Sequence, residues 1–181
     1  IISMGVDRVK PQEKTAPHLP AATLKQWLDE GKDIVVLDTR NDYEVDIGTF
    51  ENAVDLNIET FRAFPDAVKE LPQAYKEKPV VTFCTGGIRC EKAAEYMLQE
   101  GFQDVYQLDG GILRYFEECG GSHYQGECFV FDKRVSVDSQ LQETQVTQCF
   151  ACRMPLTPAE QREDGQCVHC HGNALTGEKA A

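Results

Sequence analysis

Apolar positions along the chain fall into two alternating rhythms. In residues 21–30, Leu24, Trp27 and Leu28 share one face of a 3.6-residue repeat and Gly31 closes it, so a helix is expected. Ile34-Val35-Val36-Leu37-Asp38 is instead a continuous apolar run ending in a carboxylate, the pattern of a central parallel strand covered on both faces. Residues 39–44 predict a turn into a short helix, residues 53–56 a further short strand. Phe61, Phe64, Val68 and Leu71 are spaced for one helix. Pro79-Val80-Val81-Thr82-Phe83 returns to the strand rhythm. In residues 90–100, Ala93, Ala94, Met97 and Leu98 share a helical face, with Gly101 placed to end it. A strand at 104–108 and a helix at 110–119 complete the series. Strands alternating with helices predict an α/β fold, a parallel sheet flanked by helices.

Outside this alternation the pattern weakens. Residues 1–20 contain proline and lysine and are expected to form a linker or extended lead-in to an α/β domain at 21–122. Cys128-Phe129-Val130-Phe131 is apolar on both faces and residues 132–138 alternate, so 123–145 is expected to be a connecting arm. A cysteine-rich segment at 146–174 and a tail at 175–181 follow.

The predicted strand at 79–83 runs straight into Cys84-Thr85-Gly86-Gly87-Ile88-Arg89, and a helix follows. A cysteine in a tight, glycine-bearing loop at a helix N-terminus faces unpaired amides and the positive end of the helix dipole. Both favour thiolate over thiol, as does Arg89 if its guanidinium points into the loop. Cys84 and Arg89 are therefore the candidate catalytic residues, and Thr85, Gly86, Gly87 and Ile88 the anion-binding loop. Cys90, just beyond it, is a candidate resolving thiol, or else a small residue in the first helical turn. Asp38 and Arg40, at the end of the first central strand, are expected to be paired charges that fix loops near the site. Cys119 and Cys128 have no basic neighbourhood and are expected to be core thiols.

Cys149-Phe150-Ala151-Cys152 and Cys167-Val168-His169-Cys170 form two Cys-x2-Cys knuckles separated by 14 residues. Four thiolates at this spacing suit a tetrahedral, structural Zn²⁺, with a redox-active dithiol pair as the alternative. The residues between them hold too little apolar surface to fold without metal.

Composition narrows the function classes. The 181 residues carry a net charge of −12, with 13 basic against 22 acidic residues in 1–122 and 5 against 8 in 123–181. Neither part has the basic footprint of a nucleic-acid binder, so RNA contact would need a local patch or a further segment. There is no secretory signal and no apolar run long enough for a bilayer, so no membrane partner is expected. The eight cysteines are expected to be reduced thiols in the cytoplasm. The absence of an initiator methionine leads us to expect that a natural N-terminal part precedes this sequence.

The loop resembles those of two families. Protein tyrosine phosphatases place one more residue between cysteine and arginine, a ring that cradles phosphate. The shorter ring here resembles that of rhodaneses, whose loop cysteine carries a persulfide held by backbone amides. Leu37-Asp38-Thr39-Arg40 with Tyr43-Glu44, Asn52-Ala53-Val54, and Leu108-Asp109-Gly110-Gly111-Ile112 extend that resemblance, which implies a rhodanese-like fold. Gly48-Thr49-Phe50, where many rhodaneses have Gly-His-Ile, points to a subfamily. The stretches from Phe83 to Ala93, Tyr106 to Ile112 and Gly126 to Val135 resemble the bacterial rhodanese-domain tRNA uridine(34) hydroxylases, some with a cysteine-rich tail. Tyr124 stands where that family is expected to have tryptophan. This resemblance implies oxygen-dependent 5-hydroxylation of the wobble uridine of tRNA, with molecular oxygen as co-substrate and the loop cysteine required. It also implies tRNA as partner and an N-terminal domain ahead of the rhodanese domain. No pattern for flavin, haem or another organic cofactor is visible. A sulfurtransferase drawing on a small sulfur donor, and a noncatalytic rhodanese-like binding module, are the alternative readings.

Overall fold

The computed structural model describes residues 3–6, 8–11 and 15–175. Of the expected tail, residues 176–181 lie outside the described residues, as do 1, 2, 7 and 12–14 of the expected lead-in. In chain order, β1 (His18–Leu19) leads into α1 (Ala21–Asp29), then β2 (Val35–Asp38), α2 (Asp42–Val45) and β3 (Gly48–Phe50). α3 (Phe64–Lys69), β4 (Pro79–Phe83), α4 (Ile88–Gln99), β5 (Asp104–Leu108) and α5 (Gly111–Cys119) follow. The last strands are β6 (Tyr124–Gly126), β7 (Cys128–Phe129), β8 (Ser136–Val137), β9 (Thr147–Gln148) and β10 (Pro155–Leu156).

The main sheet is wholly parallel, in the order β1-β5-β4-β2. Alternate side chains explain its two-sided cover. Val35, Leu37, Val80 and Val105 meet Phe64 and Val68 of α3 and Ala93, Ala94 and Met97 of α4. Val36, Val81 and Phe83 meet Leu24 of α1 and Ile112, Tyr115 and Phe116 of α5. Each such apolar side chain contributes about 1.5–3 kcal/mol when fully buried, so the continuous apolar strands follow from needing two covered faces. Met4, Val9 and Ala16 from the lead-in also pack into the first cluster, and the Gln107 side-chain amide donates to the Ala16 carbonyl at 2.7 Å.

The strand expected at 53–56 is reduced to one residue. Val54 exchanges hydrogen bonds with the β2 edge, donating to the Val36 carbonyl at 2.8 Å and accepting from the Asp38 amide at 3.0 Å. Beyond it the Asp55 carboxylate takes the Asn57 amide at 2.7 Å, and Asn57 adopts a left-handed φ of 49°, which turns the chain away. The single helix expected through 61–71 is split into a 3-10 turn at Phe61–Ala63 and α3. Pro65, lacking an N–H, sits in the first turn of α3, where that loss is harmless.

β6 pairs antiparallel with β3, and β7 with β8, so residues 124–137 fold back over the second face. Phe50 stands at the centre of this closure, edge-to-face with Phe83, Tyr115 and Tyr124 at 4.9, 4.8 and 5.2 Å. Register places Asp38 beside Phe83. The carboxyl ends of β2 and β4, where open parallel sheets bind ligands, are thereby brought side by side.

Candidate functional site

Cys84 lies directly after β4, its residue surface only 2% exposed. Gly87, at φ 90°, lets the chain turn so that its amide donates to Cys84 Sγ at 3.1 Å. α4 begins at Ile88, two residues earlier than the sequence pattern predicts, which puts Arg89 in its first turn. The Ile112 and Leu113 amides of α5 donate to the Cys84 and Thr85 carbonyls at 3.0 and 3.1 Å. With these carbonyl oxygens drawn to α5, loop amides are free to face the sulfur. Gly111 makes the approach possible: a Cβ there would stand 2.4 Å from the Cys84 carbonyl oxygen. Thr85 Oγ1 ties the loop to β7 by donating to the Phe129 carbonyl at 3.2 Å.

Arg89 is buried and spends its guanidinium on Glu44, with NH1 and NH2 reaching the two carboxylate oxygens at 2.6 and 2.7 Å. Glu44 also accepts the Asn41 backbone amide at 3.2 Å, the returning half of a capping box at the start of α2. Its proximity to Arg89 is the relation the sequence pattern missed. The only local signal was an acidic residue three positions after Asn41, which predicts the cap but not the distant partner. Removing either charge would strand the other in a buried setting, typically a loss of about 3–5 kcal/mol.

The Cys84 thiol is lowered to about 6 from its ordinary value near 8.5. The largest cause is a hydrogen bond from the Cys90 thiol; burial opposes it, and the Arg89 charge and the Arg89 and Gly87 amides add to it. Cys90 is fully buried, 3.8 Å from Thr39 Oγ1, and is held well above the usual range by burial and by the charge on Cys84. Of the two, Cys84 is therefore the thiolate and Cys90 the thiol. Cys128 is also buried, but desolvation pushes it up to about 12.

These directions fix a pH response. Cys84 should alkylate with iodoacetamide at a rate that rises through about pH 6 and is flat by pH 8, because the thiolate fraction is then complete. Cys90→Ala removes the leading donor, so the midpoint should move upward towards the ordinary thiol range. A midpoint unchanged by this substitution, or faster labelling of Cys128, would overturn this account of the sulfur.

Asp38 and Arg40 are completely buried. Arg40 Nε and NH2 reach the Asp38 carboxylate at 2.9 and 2.7 Å, and NH2 also donates to the Gly48 carbonyl at 2.6 Å. Thr49 Oγ1 donates to Asp38 at 2.8 Å. The pair pins the end of β2 to β3, behind the Glu44–Arg89 bridge.

The four tail cysteines converge. Their sulfur atoms all lie within 4.8 Å of one another, with Cys149–Cys170 at 3.9 Å and Cys152–Cys167 at 3.7 Å. Both knuckles use the same turn: Arg153 and His171 have φ 66° and 57°, and their amides return to the Cys149 and Cys167 carbonyls at 2.9 Å each. A tetrahedron of thiolates about 2.3 Å from a central ion has edges of about 3.8 Å, so this cluster could hold a metal ion. Among the described residues, no helix is long and apolar enough to cross a membrane.

Comparison with known proteins agrees with this geometry. A sequence model described as a rhodanese-like domain matches residues 20–118. The chain is 50% identical to a protein of Cupriavidus necator named tRNA uridine(34) hydroxylase, over 96% of this chain and 65% of that one. It is 53% identical to a protein of Burkholderia cenocepacia with the same name, over 90% of this chain and 59% of that one. The chain thus spans less than two thirds of the length of either relative. Among solved structures, the rhodanese-like domain of an Anabaena protein is similar at a TM-score of 0.50 and 23% identity, covering 61% of this chain and 79% of that domain. That likeness bears on the fold alone, whereas the match at 20–118 takes in β2, β4, the Cys84 loop, α4 and α5 and covers more than half of the sequence: this chain belongs to the rhodanese-like domain family.

Proposed function

We propose that this chain carries the reacting thiol of a tRNA uridine(34) hydroxylase, with Cys84 as the thiolate required for 5-hydroxylation of the wobble uridine. The observation that carries this reading is the roughly half identity to proteins of that name across nearly the whole chain. The buried, low-pKa sulfur supports it, since such a group is a nucleophile at neutral pH. In this reading Arg89 and the loop amides of Thr85, Gly86, Gly87 and Ile88 stabilise charge on the sulfur or on a group bound to it, and Cys90 stays protonated beside it. Molecular oxygen is the co-substrate by family resemblance, and tRNA is the partner. At a net charge of −12, phosphate contacts must come from local positive groups or from sequence beyond this chain.

The cysteine tetrad is assigned as a structural Zn²⁺ site, supported by its two matched knuckles and its 3.7 and 3.9 Å sulfur separations. We take 21–122 as the rhodanese domain, 123–145 as the connecting arm and 146–174 as the zinc segment. The proposed function is tested by nucleoside mass spectrometry of tRNA from a strain lacking the gene. The complete gene product should restore 5-hydroxyuridine.

One observation favours sulfur transfer as the second reading. The Gly87 amide stands 3.1 Å from the sulfur in a ring sized for a small anion, such as the outer sulfur of a persulfide. If the wild-type gene restores no hydroxyuridine, yet its product moves sulfur efficiently from thiosulfate to cyanide, the sulfurtransferase reading replaces the first.

A further inference from the structure

Phe131 is large, apolar and 47% exposed, yet its ring is packed against groups next to the Cys84 loop. Its ring meets Phe129 edge-to-face at 5.0 Å, and Phe129 meets Tyr43 in the same way at 5.4 Å. The Arg89 guanidinium carbon lies 5.7 Å from the Phe131 centroid. The ring is therefore braced by the groups that border Cys84, while nearly half of its residue surface meets water. Ile88, inside the loop, is 62% exposed. Two apolar side chains thus flank a sulfur that is itself almost covered.

The turn carrying Phe131 is held rigidly. The Val130 amide donates to the Val135 carbonyl at 2.8 Å, and Arg134 clamps the Asp132 carboxylate at 2.6 Å. Val135 takes a φ of 61°, a left-handed conformation that a β-branched residue rarely adopts. Lys133 is exposed at the tip, two residues from Phe131, and has no acidic partner among the described residues. An aromatic face and an unpaired cation on one short turn match the two halves of a nucleotide, base and phosphate.

We propose that Phe131 is the stacking platform for the unpaired pyrimidine presented to Cys84, with Lys133 contacting the adjoining phosphate. This rests on the reading of the substrate as a tRNA uridine. Single-stranded RNA is recognised largely by bases stacked on aromatic rings. A wobble base sits in a loop, so it can be splayed onto such a ring without breaking a base pair. The platform also supplies a local positive group on a chain whose overall charge opposes RNA.

The test uses the complete gene product and a fluorescent anticodon stem-loop RNA, carrying either uridine or an abasic residue at position 34. Phe131→Ala should weaken binding of the uridine RNA about tenfold, the scale of one base–aromatic stack. Phe131→Trp should retain affinity and Phe131→Leu should not. The abasic RNA should bind wild type about tenfold more weakly, and Phe131→Ala should weaken it no further. Lys133→Ala should weaken both RNAs alike and lower the salt dependence by about one phosphate contact. Phe131→Ala protein that still alkylates at Cys84 with the wild-type pH midpoint establishes that the loop is intact. Rescue by leucine, or equal weakening of both RNAs by Phe131→Ala, overturns the platform. The outcomes separate the two ideas: loss of hydroxyuridine rescue by wild type removes the proposed function. Wild-type rescue with a Phe131→Ala variant that binds uridine RNA normally removes the platform alone.

Discussion

Cys84→Ser is expected to leave tRNA of a complemented deletion strain without detectable 5-hydroxyuridine, while thermal unfolding of the protein moves by no more than about 4 °C. The substitution exchanges one atom in a site that is 2% exposed, and a serine oxygen can still accept the Gly87 amide. What it removes is ionisation. The sulfur is lowered to about 6 and is mostly thiolate at neutral pH, whereas an alcohol stays protonated in the same environment. Loss of a nucleophile costs enzymes at least about a thousandfold in rate. Nucleoside mass spectrometry reads the first outcome and circular dichroism the second. Sulfur transfer from thiosulfate should vanish with the same substitution, because both readings need the thiolate. Full restoration of the modification by Cys84→Ser would end any mechanism built on this loop.

The second large effect concerns the tail. We expect about one Zn²⁺ per chain, lost on Cys149→Ser or Cys167→Ser, after which the segment from about residue 146 onwards becomes protease-sensitive while the rhodanese core stays folded. The reason is the imbalance of terms. Apart from its cysteines, the segment's apolar cluster is Leu156 with Ala151, Val168 and Ala174, worth a few kcal/mol at about 25 cal/mol per Å². Binding of a structural zinc is worth about 10–16 kcal/mol. A bound zinc would therefore decide whether the two knuckles form. Packing against the core is thin by comparison: Tyr43, Asp46 and Ile47 share a cavity of about 110 Å³ with Met154, Pro155 and His169. Metal analysis of protein prepared without chelator, limited proteolysis and circular dichroism check the three parts. Absence of zinc, or collapse of the core with the tail, would refute the assignment.

Both experiments bear on features legible before any coordinates. The strand at Pro79–Phe83, the tight glycine loop and the following helix are written in adjacent residues, so a cysteine facing amides follows from local rules. The two knuckles are equally local, since each Cys-x2-Cys closes over its own turn. The partner of Arg89 is of a different kind. Glu44 lies 45 positions away and is one of 30 acidic residues, so no spacing rule selects it. Cys90 was visible as a neighbour of the loop, but its influence on the Cys84 thiol depends on burial and on which way its own thiol points. The segment at 53–56 has the composition of a strand, yet only Val54 finds a ladder, because an edge strand is decided by what lies beside it.

The sequence by itself determined the parallel α/β architecture, the placing of Cys84 in a glycine-bearing loop at a helix N-terminus, and the thiol tetrad. Burial on two faces forces continuous apolar strands, and short-range spacing sets loops and knuckles. Tertiary structure alone decided that Glu44 neutralises Arg89, that Cys90 is fully buried behind the loop against Thr39, and that residues 124–137 return to set Phe131 beside the site. Those contacts join residues far apart in the chain, or depend on side-chain direction. Their energies arise only when the sheet has brought the carboxyl ends of β2 and β4 together and removed water from between them.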